Sequence, residues 1–105
     1  MILRAYGRAV AVHRSDPTWP ERDGHFPSDP AARQVIDLSV DLVQHSCGYA
    51  VPLMTLDAER QVLADWAERK GPAGVAAYWG MHNAETIDRH PTHIAMLNRA
   101  EGTDA

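Results

Sequence analysis

A chain of 105 residues carrying 10 Lys and Arg against 14 Asp and Glu has room for one domain and not two. Its net charge of -4 and the absence of any basic run argue against a nucleic-acid partner. Leu, Ile, Val and Phe make up only 20 residues, so the core is marginal and a partner subunit would help it.

Cys47 is the single cysteine, which excludes an intramolecular disulfide. Arg4 and Arg8 interrupt the apolar N-terminus, so it does not read as a signal peptide. No apolar run approaches the ~18 residues of a membrane span. A cytoplasmic protein without a membrane partner is the expectation.

Residues 2–13 read as a strand. One parity holds Ile2, Arg4, Tyr6, Arg8, Val10 and Val12. The other, with Leu3, Ala5, Gly7, Ala9 and Ala11, is almost entirely small and admits close approach of a helix, a strand or a planar ligand. Helix packing is the expected use. Residues 14–33 hold Pro17, Pro20, Pro27 and Pro30, a density that forbids a long helix. A helical turn is expected at Asp29-Pro30, with Asp29 as N-cap. Residues 34–44 alternate Ile36, Leu38, Val40 and Leu42 with Asp37, Ser39 and Asp41. This predicts a strand with one buried and one wet face.

Residues 46–54 form a compact segment in which Gly48 permits a bend and Pro52 restricts pairing to an edge. Residues 57–70 predict a helix capped by Asp57, with Val62, Leu63, Trp66 and Ala67 as its apolar stripe. Gly71 ends it, and Pro72 opens a second helix to about Asn83, with Val75, Trp79 and His82 on one face. The tail begins with a turn, and residues 101–105 are expected to be disordered. Residues 1–100 form the single domain.

The six histidines show no i, i+4 pair of the helical zinc type. They read as surface residues, and no metal site is expected. Cys47 reads as a small buried residue, although His45 would share its strand face. Asp37 and Asp41 read as the wet face of a strand. No nucleophile elbow or phosphate loop occurs. The residues alone give a small α+β domain without a catalytic constellation.

Ser46-Cys47-Gly48-Tyr49-Ala50-Val51-Pro52-Leu53-Met54 resembles the S-C-G-Y-G-V-P-L-M segment of the pyridoxamine 5'-phosphate oxidase-like family. The stretch from Trp66 to Tyr78 is similar to the family's W-A-E-K-K-G-P-E-G-L-A-A-Y, and Asn83–Asp88 to its N-x-x-S-I-D. Leu3–Ala9 resembles its L-R-L-Y-G-R-G strand, and Asp16-Pro17-x-Trp19 and Phe26-Pro27 also fit. Ala50 departs from a Gly, and Arg89-His90 from a Gly-Leu.

The resemblance implies an FMN-binding split barrel that dimerises and holds the flavin at the subunit interface. It implies here a partial split β-barrel of few antiparallel strands followed by a C-terminal helix pair. In the family an N-terminal half supplies the grip on the FMN phosphate, and this chain starts at a later strand. The expectation is an incomplete flavin oxidoreductase-family protein, active only if a homodimer or an N-terminal half from another chain rebuilds the site. Cys47, Gly48 and Tyr49 are the expected contacts near the flavin ring, and Arg4 and Arg8 the cations available for phosphate. The catalytic residues stay unknown. The alternatives are a dimerisation module or truncated remnant that binds no flavin, or a binder of another small molecule against the small face of residues 2–13.

Overall fold

The computed structural model describes residues 1–99, so the expectation of a disordered tail at 101–105 lies outside the described residues. The order of elements is β1 (Ile2–His13), α1 (Trp19–Asp23), β2 (Gln34–Ser46), α2 (Val62–His82) and α3 (Ile94–Leu97). The class is α+β. β1 and β2 form a two-stranded antiparallel sheet that does not close into a barrel.

The register corrects the simple alternation expected of β2. Ile2 pairs with Ser46 and Tyr6 with Leu42, but Gly7 pairs with Val40, so Asp41 is an extra residue on β2. A bulge of this kind switches the face on which the following residues lie. Leu42 therefore shares a face with Ile2, Arg4 and Tyr6, where the Tyr6 hydroxyl donates to Gln44 Oε1 at 3.4 Å. Val43 takes its place beside Val40, Leu38 and Ile36, opposite Ala5, Gly7, Ala9 and Ala11. The cause is visible at Gly7, where a Cβ would stand 1.9 Å from the Ser39 carbonyl oxygen.

The second correction concerns burial. Among the described residues no helix covers the small face of β1, and Ile36, Leu38, Val40, Val43 and Leu3 are all exposed. The buried residues are Val12 near α1, and a cluster of Ala67, Val75, Trp79 and Ile94 joined by Ala31 and Trp66. The core thus sits among the helices at one end of the ribbon.

The two predicted helices are present as Val62–His82, interrupted at Gly71 with φ 71° and ψ 169°. Trp66 and Tyr78 meet across that break edge to face, with ring centroids 4.9 Å apart. The first segment starts later than its expected Asp57 cap. Gln61 occupies the N-cap position without a side-chain cap bond, and Val62 and Leu63 are exposed rather than packed. Val75 and Trp79 are buried as expected, whereas His82 is exposed and lies against Tyr78.

Between the strands, the helix lies at Trp19–Asp23 rather than at Asp29-Pro30. The Asp16 carboxylate accepts bonds from the Thr18 amide (2.8 Å) and hydroxyl (2.7 Å) ahead of it. These bonds hold the Asp16 carboxyl below its ordinary value of 3.8. Asp29 caps only a turn, accepting from the Ala31 amide at 2.9 Å. Arg14 donates from Nε to the Ala32 carbonyl at 2.8 Å and lies over Trp79 and Trp19 at 5.4 and 6.0 Å from the ring centroids. That contact ties the loop base to the helical core.

Residues 46–54 are not compact. Val51 donates to Gly48 in a turn, but residues 52–61 have no regular structure, and Leu53, Met54 and Leu56 are exposed. No helix among the described residues is long and apolar enough to cross a membrane.

Candidate functional site

The strand register decides where the five expected site residues stand. Ile2 is opposite Ser46, so the turn that follows β2 folds back onto the start of β1. Gly48 adopts φ +69°, and a Cβ there would lie 3.4 Å from the Met1 nitrogen and 3.5 Å from Ile2 Cγ1. Glycine is favoured in this left-handed region because any other L-residue brings its Cβ against the following carbonyl. Cys47 and Tyr49 flank it, both exposed. The expectation of a buried Cys47 is thereby corrected. The strand ends at Ser46, so Cys47 projects from the turn.

Arg4 and Arg8 share one face of β1, both exposed. Among the described residues neither is paired with a carboxylate. Four residues of strand separate their Cα atoms by about 13 Å. A phosphate requires converging donors or a helix N-terminus. Two isolated arginines on an exposed strand are a thin phosphate site, and Arg4 is the nearer of the two to the turn at Gly48. The residues of a single chain therefore do not fit FMN. Four of the five residues gather at one end of the ribbon or close to it, and Arg8 stands apart.

At the opposite end lies a cleft of about 200 Å³, lined by His13, Arg33, Gln34, Asn83, Glu85, Thr92, Ile94 and Asn98. Arg33 Nη1 donates to Asn83 Oδ1 at 3.2 Å, and the Thr92 hydroxyl donates to the Asn83 carbonyl. His13 Nδ1 is buried without a hydrogen-bond partner. A more open groove of about 890 Å³ runs between the Phe26–Pro30 loop, the start of β2 and the start of α2. None of the five expected residues lines either cavity. The polar cleft escapes sequence reading because its residues sit at element ends far apart in the chain.

His13 is half-buried, unlike the surface position expected of it, while the other five histidines are exposed. Among the described residues no group of three or more His, Cys, Asp or Glu is placed to hold a metal ion.

No known family, curated protein or solved structure matches this chain.

Proposed function

We propose that the chain is a split-barrel protein of the pyridoxamine 5'-phosphate oxidase-like kind, whose FMN site is assembled only with a second protein chain. Redox activity would follow from that assembly and not from the isolated chain. The reading rests on the likeness of Ser46–Met54 and Trp66–Tyr78 to that family. One structural observation supports its interfacial form. The Cys47-Gly48-Tyr49 turn is packed against Met1 and Ile2 while its flanking side chains remain uncovered. A second chain seated there would meet a backbone turn, an aromatic ring and Arg4 together.

The chain's accessible surface supports the same reading. It measures 9023 Å², against roughly 5,800 Å² for a folded monomer of this mass. The radius of gyration is 17.5 Å, where about 13 Å is usual for this length. Such an excess belongs to a subunit that finishes its core by association.

The separation of Arg4 from Arg8 favours a second reading, a dimerising module that binds no flavin. A visible absorption titration of the purified chain with FMN separates the two. Saturable perturbation of the flavin band, with a stoichiometry fixed to the assembled protein, is the expected result. An unchanged flavin spectrum throughout would leave the module reading in its place.

A further inference from the structure

We infer that the cleft between the end of β1 and the segments flanking α3 is a binding site for a small α-amino acid, held as its zwitterion between Arg33 and Glu85. The inference does not rest on the flavin reading. The cleft lies at the other end of the ribbon from the Gly48 turn and shares no residue with it.

Four stretches far apart in the chain meet at this cleft. They are the end of β1 at His13, the start of β2 at Arg33, the segment after α2 at Asn83 and Glu85, and α3 with the residues on either side of it. Hydrogen bonds fix the walls. The Thr92 amide donates to the Ala84 carbonyl at 2.9 Å, and Glu85 pairs with Pro91 in an antiparallel bridge. Asn98 Nδ2 donates to the Ile94 carbonyl at 3.1 Å, while its Oδ1 accepts from the Arg14 amide at 3.4 Å. Ile94, a buried member of the helical core, lines the same cleft. Walls held in this way are pre-organised, which lowers the ordering cost of binding.

The charges point to the ligand. Arg33 and Glu85 line one cleft of about 200 Å³. Among the described residues they do not pair with each other, and neither pairs with another charged group. Arg33 instead donates from Nη1 to Asn83 Oδ1 at 3.2 Å. Its guanidinium keeps further N–H donors in the fork geometry that suits a carboxylate. A lone anion would be attracted by Arg33 and repelled by Glu85, and a lone cation the reverse. A molecule carrying both charges close together satisfies both residues, and an α-amino acid carries them on one carbon. Size sets the same limit. At about 30 Å³ per water the cleft holds roughly seven waters, or a ligand of about seven non-hydrogen atoms. L-Serine has that size. Both charged residues are exposed, so the affinity is modest, on the order of millimolar, and falls with added salt.

Titration of the chain with L-serine, followed in amide NMR spectra, tests this. Saturable shifts are expected at the amides of Asn83, Thr92 and Asn98. Propionate lacks the ammonium group and ethanolamine lacks the carboxylate, so each should bind about tenfold more weakly or worse. Glu85→Gln should weaken L-serine by about tenfold and leave propionate no weaker, because it removes a like charge. The comparison of the three ligands uses the unsubstituted chain, so it decides the matter even if Glu85→Gln fails to fold. Three results would each overturn the inference: no saturable shift around the cleft, L-serine binding unchanged by Glu85→Gln, or propionate binding as tightly as L-serine. The last would make the cleft a simple anion site.

Discussion

Gly7 and Arg89 show how much of this molecule turns on single backbone positions. Gly7 sits at the bulge between β1 and β2, where a Cβ would stand only 1.9 Å from the Ser39 carbonyl oxygen. Gly7→Ala should separate the strands there and lower stability by about 1–3 kcal/mol, read as a drop in the urea midpoint. An unaltered midpoint would mean the bulge has slack. Arg89 adopts φ +65° inside a turn in which its amide bonds to the Thr86 carbonyl at 3.0 Å and the Thr86 amide to the His90 carbonyl at 2.8 Å. A non-glycine residue in that conformation is strained. Arg89→Gly should therefore raise stability by about 0.5–1 kcal/mol, measured by thermal unfolding. The sequence marks this position as a departure from the Gly-Leu of the family it resembles, and the structure gives that departure a physical cost. Ala50, the other departure, is not among the residues with positive φ and carries no such strain.

The elements were unequally legible. β1 and the span of β2 follow from period-two alternation, and the break at Gly71-Pro72 from the one residue that tolerates its φ and the one that suits the next helix start. The bulge was not legible, because it depends on the approach of Gly7 to Ser39 from 32 positions away rather than on any local pattern. Nor was the late start of α2. Asp57 carries a good local cap signal, but nothing packs against residues 52–61, and an amphipathic face without a partner contributes little to a helix. The site turn was half legible. Gly48 announces a bend, but its contact with Met1 and Ile2 exists only once the register is known. Within the helical end, Trp79 closes the core against Val75 and Ile94 and carries the Arg14 guanidinium. Trp79→Ala should cost about 3–5 kcal/mol. Far-UV dichroism should lose the helical signal at a much lower temperature while the ribbon, held by its own ladder, persists. Simultaneous loss of both signals would show that the two ends fold as one.

At the scale of the whole molecule the sheet and the helical core are joined end to end, and most of the sheet is bare on both faces. The chain leaves roughly 3,000 Å² more surface exposed than its mass calls for. The proposed association would cover part of that surface and put the flavin site at a boundary between chains. Sedimentation of the chain with FMN, followed at once in the protein band and in the visible flavin band, tests this most directly. A single boundary of twice 11.6 kDa carrying the flavin signal with it is expected. Protein moving as a monomer, with the flavin left behind unsedimented, would contradict it.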